Sequence, residues 1–170
     1  MIAKQRGFTL VELLVAVAIT AILAVMAAPS FSSFVSKGRA DSASQQLFSD
    51  LNAARVEAIK RNRRVLVCPS PNTPTVNSCA AGNNWSNGWV LCVDADSDGT
   101  CDNITATSDP NFPNPFFIRS ALNSTLSVTA TANPITFRPD GSGVATVLSV
   151  IAGSTTKTVS VATTGFVTVN

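Results

Sequence analysis

The apolar positions of the chain follow three rules in turn. From Leu13 to Ala28 they are continuous, with Thr20 as the single polar side chain. Counted from Phe8, the run approaches the ~20 residues that cross a bilayer core. Further on they become periodic: Ala43, Leu47, Leu51, Ala54 and Ala58 recur at steps of four, four, three and four, with Gln45, Asp50, Asn52 and Glu57 between them. That spacing places one apolar stripe along a helix and turns the polar residues elsewhere. After Arg64 the helical period disappears. RVLVC, GWVLCV, LSVTA, ITFR, GVATVLSV, TKTVSVA and GFVTV are short runs rich in β-branched residues, separated by Pro, Gly, Asn and Asp clusters. They read as strands of a mainly antiparallel head. PSPNTPTVNSCAAGNNWSNG and TATSDPNFPNPFF carry several prolines and no period, so no element is assigned to them.

The first two patterns join into one helix. Pro29 removes a hydrogen bond and bends the helix without ending the pattern. Gly38 costs only ~1 kcal/mol relative to alanine in a helix interior. The helix closes in IKRNRRV, where Lys60, Arg61, Arg63 and Arg64 form the densest basic cluster of the chain. The expected fold class is α+β: a long, kinked N-terminal helix with a membrane-spanning first half, packed on a C-terminal antiparallel β-rich head.

Charge adds an orientation. Of 170 residues only 13% are charged, and the formal net charge of +2 is accounted for by Lys4 and Arg6. No global field therefore advertises a nucleic-acid partner. Two basic residues ahead of the apolar run, and no comparable cluster just beyond it, place the N-terminus in the cytoplasm and the remainder outside. A cleaved secretory signal is the competing reading, with small residues at Ala27 and Ala28. Glu12 argues against it. A carboxylate in hydrocarbon costs several kcal/mol unless paired, and a discarded signal has no use for one.

KQRG followed by FTLVEL resembles the class III leader and mature N-terminus of type IV pilins and type II secretion pseudopilins. The resemblance implies a prepilin leader at 1–7, cleavage by prepilin peptidase between Gly7 and Phe8, and N-methylation of Phe8. It implies too that Glu12 pairs with the N-terminal amine of a neighbouring subunit, so that its charge is satisfied on assembly. On that reading the chain divides into a transmembrane and filament-core helix at 8–28, its amphipathic continuation at 29–63, and a globular head at 64–170. SDLNAARVEAIKRNRRVLVCPS, NWSNGWVLCVDADSDG and ITFRPDGSG resemble the GspH/FimT branch of the family, the H-type secretion pseudopilins and related minor pilins. The function implied is a structural subunit of a type IV pilus or type II secretion system, acting near the tip in assembly or priming. Its partners would be other pilins or pseudopilins, prepilin peptidase, the inner-membrane assembly platform and the bacterial inner membrane, with the head in the periplasm. The alternative is a minor pilin that captures DNA during uptake.

Four cysteines beyond the span lie where disulfides persist, and four allow three connectivities. Local pairing, Cys68 with Cys79 and Cys92 with Cys101, is expected because each bridge then ties a loop. Zinc is the other use of four cysteines, but there is no CxxC and no histidine. Asp94, Asp96, Asp98 and Gly99 reproduce the opening of an EF-hand loop, with Asp102 as a further calcium ligand. Position twelve falls on Thr105, so an Asp-rich turn is the favoured reading, with no cofactor required and calcium the alternative. Arg61, Arg63 and Arg64 are candidate nucleic-acid contacts, set against favourable placement of basic groups at a helix C-terminus. In DNA-binding relatives the resemblance implies a Gly-Arg-x-Arg motif near the C-terminus. Here Gly165 is kept, but Phe166 and Thr168 stand where the arginines belong, so DNA is not the favoured partner. With no His, no Tyr and no nucleotide-binding glycine pattern, no catalytic residue is expected.

Overall fold

The computed structural model describes residues 8–71, 79–102 and 114–170, excepting the side chains of 24–30. The expected leader at 1–7 lies outside these residues, as does Thr105. The chain forms two compact units, Met1–Val35 and Ser36–Asn170.

One helix, α1 (Leu10–Arg61), enters both units, and its α-helical backbone continues through Pro29 and Gly38. In the first unit most of the described side chains are apolar and exposed, with Thr9, Glu12 and Thr20 among the polar ones: the large apolar ones from Phe8 to Leu23 have exposures of 53% to 75%. Among the described residues no helix is long and apolar enough to cross a membrane. The expected span at 8–28 includes residues 24–28, whose side chains are not among those described.

In the second unit the predicted stripe is the buried face. Ala43, Leu47, Leu51, Ala54 and Ala58 are each at most 2% exposed, and Ala40 extends the stripe by one further step of three. Asp50 departs from the expectation: rather than facing away from the head, it is buried. The helix ends two residues before the expected position 63. Asn62 takes the left-handed conformation at φ 52°. Its N–H donates to the Ile59 carbonyl and that of Arg63 to the Ala58 carbonyl, both at 3.2 Å. This is a Schellman termination, which satisfies carbonyls the last turn leaves open.

The described strands are β1 (Arg64–Pro69), β2 (Trp89–Asp94), β3 (Phe117–Ile118), β4 (Leu126–Ala130), β5 (Ile135–Phe137), β6 (Thr146–Ala152), β7 (Thr155–Val161) and β8 (Val167–Val169). They form two antiparallel four-stranded sheets, ordered β3-β2-β1-β5 and β4-β6-β7-β8. β3 is a gain over the sequence reading, since it opens on the last residue of the unassigned TATSDPNFPNPFF segment. The other unassigned segment contributes Trp85, which is fully buried and donates its backbone N–H to the Val128 carbonyl at 2.8 Å.

The helix stripe and the inner faces of both sheets share one core, including Val65, Val67, Trp89, Leu91, Val128, Leu148, Val150 and Val159. The second sheet is half-covered, so β4 and β6 alternate buried and exposed residues with period two. The first sheet is covered twice. Every residue of β2 is buried, because Leu66, Cys68, Val90 and Cys92 on its outer face pack with Cys79 and Cys101 into a second cluster.

Candidate functional site

At the N-terminus of α1 the sequence Thr9-Leu10-Val11-Glu12 has the spacing of a capping box. The Thr9 hydroxyl accepts the Glu12 N–H, and Glu12 Oε2 accepts the Thr9 N–H, both at 3.2 Å. Two donors that open a helix are thereby satisfied reciprocally. Glu12 therefore has an intrachain partner that the sequence reading overlooked, although the TxxE signal was present. Gly7 lies outside the described residues, and Phe8 is 75% exposed.

Two disulfides anchor the outer face of the first sheet, Cys68–Cys79 and Cys92–Cys101. They lie side by side, with Cys79 Sγ and Cys101 Sγ 3.6 Å apart.

The second bridge closes the aspartate turn that follows β2. Asp98 accepts the Thr100 N–H at 2.7 Å and the Thr100 hydroxyl at 2.8 Å, and Asp96 accepts the Asp98 N–H at 3.2 Å. The Thr100 donors hold the Asp98 carboxyl below its ordinary range. Ser97 and Gly99 supply the positive φ angles, 68° and 86°, that such a turn demands. Asp102 accepts the Ala95 N–H and so ties the turn across its base. Asp94 differs from the rest in being 1% exposed. Burial pushes its carboxyl up; the Gly99 and Ser97 N–H groups oppose that shift, and the charges of Asp98 and Asp102 add to it. The structure brings oxygens of Asp94, Asp96 and Asp98 within 4.8 Å of one another, while Asp102 stands apart from that trio.

The three candidate nucleic-acid arginines line a surface cavity of about 450 Å³ with Asn62, Ala95, Ser97 and Pro139. Their guanidiniums are engaged in the fold. Arg61 is 2.6 Å from Glu57 and lies 4.5 Å from the Phe116 ring centre. Arg63 donates to the Ala95 carbonyl at 3.4 Å and Arg64 to that of Ser97 at 3.5 Å. Gly165 is explained by local geometry: its φ is 74°, and a Cβ there would meet the Gly141 carbonyl oxygen at 1.9 Å. Phe166 and Thr168, the positions set against arginines, are both exposed, Phe166 just before β8 and Thr168 within it.

Sequence reasoning also missed the polar junction within the head. Arg119 donates to both oxygens of Asp50 at 3.0 and 2.8 Å, and Trp89 Nε1 donates to the same carboxylate at 2.9 Å. These partners lie 69 and 39 residues from Asp50, so no local pattern announces them.

A helix that carries Glu12 in an exposed apolar first part, and buries its later stripe beneath two antiparallel sheets, has the architecture of a pilin-like subunit. Residues 43–165 match the family model of the type II transport protein GspH, and residues 2–28 match the prokaryotic N-terminal methylation motif. The chain belongs to the GspH family. It is a minor pilin or pseudopilin of a type IV pilus or type II secretion system, and its methylation motif implies processing by prepilin peptidase. Among solved structures, the type IV minor pilin FimU of Pseudomonas aeruginosa is similar, with a TM-score of 0.58 at 16% identity, covering 81% of this chain and 92% of that one. A second crystal form of FimU gives 0.54 at 16% identity, covering 76% and 91%. The minor pseudopilin EpsH from the Type 2 Secretion System of Vibrio cholerae gives 0.51 at 12% identity, covering 78% and 96%. At these identities the likeness is one of fold alone. No curated protein is a significant match in sequence.

Proposed function

We propose that the chain is cut between Gly7 and Phe8, methylated on Phe8, and anchored by residues 8–28 in the inner membrane with its head in the periplasm. From there the assembly platform delivers it into a filament of other pilins or pseudopilins, where it acts near the tip in starting assembly or secretion. The observation that carries this reading is the apolar surface from Phe8 to Leu23, exposed in the lone chain and interrupted by one carboxylate. Contiguous apolar exposure on this scale marks a membrane or protein contact. Glu12 belongs to the same surface: its capping box serves the single chain, and its negative charge remains for the N-terminal amine of a neighbouring subunit. DNA capture has no observation in its favour among the described residues.

The test separates the two tasks of Glu12. Glutamine suits the third position of a capping box but carries no charge. Glu12→Gln, like Glu12→Ala, is therefore expected to insert normally yet incorporate poorly. Incorporation is read by co-purification with filaments and processing by the mass of the mature N-terminus. Wild-type incorporation of the glutamine variant would reduce Glu12 to a helix cap, and a terminus after Ala27 or Ala28 would end the proposal altogether.

A further inference from the structure

One carboxylate of the aspartate turn does not behave as a turn residue. Asp94 is 1% exposed, and while its Oδ2 accepts the Gly99 N–H at 3.2 Å, its Oδ1 is buried and accepts no hydrogen bond among the described residues. An ionised oxygen withdrawn from water without a partner is strongly unfavourable. The neighbouring cations do not relieve it. Arg63 and Arg64 reach the carbonyls of Ala95 and Ser97 instead, and the described ion pairs do not include Asp94.

Its surroundings supply what a cation requires. One oxygen each from Asp94, Asp96 and Asp98 lies within 4.8 Å of the other two. That is the span of two oxygens facing each other across one calcium ion, whose ligands sit at ~2.3–2.6 Å. The residues alternate along the chain, and Gly99 follows at φ 86°, providing the sharp turn that brings alternate carboxylates to one centre. Four carboxylates, those of Asp94, Asp96, Asp98 and Asp102, outnumber the two guanidiniums of Arg63 and Arg64 that touch the turn.

We propose that Asp94, Asp96 and Asp98 hold a calcium ion, with Asp94 contributing the buried oxygen that otherwise has no partner. The ion fixes the turn between β2 and Cys101. Through the Ala95 and Ser97 carbonyls it also fixes the grip of Arg63 and Arg64 at the junction of α1 and β1, so the helix end and the turn become one unit.

The experiment is thermal unfolding of the full-length processed protein in detergent, in EDTA, in calcium and in magnesium. With a dissociation constant on the order of 10⁻³ M, typical of extracellular sites, about 10 mM calcium raises Tm by roughly 3–6 °C. The variant Asp96→Asn with Asp98→Asn alters two exposed side chains and is expected to fold but lose the shift. Asp94→Asn loses the shift too, and in EDTA it melts above the wild type because the buried charge is gone. Equal wild-type Tm in EDTA and calcium overturns the proposal. So does a calcium shift that survives in the double variant, or one matched by magnesium at the same concentration.

Discussion

Two stretches of the same helix are built from the same kinds of side chain and meet opposite fates. Leu13 and Leu14 are 59% and 61% exposed, whereas Leu47 and Leu51 are fully buried. Residue type does not separate them; arrangement does. In the later stretch the buried apolar residues form a single stripe, which two sheets can cover within one chain, while Val56 and Ile59 lie off it and are exposed. In the earlier stretch they surround the helix, and a helix that is apolar all round needs lipid or other subunits to cover it. The carboxylates draw the same contrast. Asp50 is buried and satisfied within its own chain by Arg119 and Trp89. Glu12 is held by a cap that leaves its charge available.

The largest expected effect breaks the self-sufficient stretch. Asp50→Ala leaves the Arg119 guanidinium and the Trp89 indole N–H without their shared acceptor, a loss of about 3–5 kcal/mol for a pair buried on the Asp50 side and partly exposed on the Arg119 side. Denaturant unfolding measures it. Destabilisation below about 1 kcal/mol would mean that solvent or another acceptor takes over the junction. A smaller, paired effect tests the contrast between the stretches directly. Leu47→Ala is expected to cost about 2–5 kcal/mol through cavity formation. Ile19→Ala, at 53% exposure, should stay within about 0.5 kcal/mol in the isolated chain while reducing filament incorporation. Equal costs at the two positions would erase the distinction between the two stretches.

The stripe was legible because it repeats, and so were the seven runs that form all the described strands except β3. Each local pattern there has one physical cause, a single face to bury. What escaped had either no period or two causes. β3 is two residues long and follows a proline cluster, so no alternation can develop. Asp50 reads as polar and therefore outward, because its burial depends on Arg119, which arrives from a distant loop. Asp94 is hidden for a different reason: β2 is covered on both faces, so the alternation that would have marked its side chain as inward or outward is absent. For the cysteines, spacing suggested loops that each bridge could tie. It could not indicate that the two bridges lie against each other as the cover of a sheet.

The smallest effect concerns the end of the buried stretch, where Glu57 meets Arg61. The Arg61 hydrogen bond, above all, holds the Glu57 carboxyl below its ordinary value of 4.5 despite partial burial. A carboxyl whose pKa is depressed on folding binds protons more readily in the unfolded chain. Its stabilising contribution is therefore complete above the unfolded value and is lost as pH falls through the folded one. Both partners keep some contact with solvent, at 16% and 22% side-chain exposure, so about 0.5 kcal/mol is the expected scale. Glu57→Gln should thus melt slightly below the wild type near pH 6 and draw level as the solution is acidified below the folded pKa. A Tm difference that stays constant across that range would assign the effect of the substitution to packing beside Arg61 and Phe116, leaving the charge of Glu57 with no part in holding the helix end.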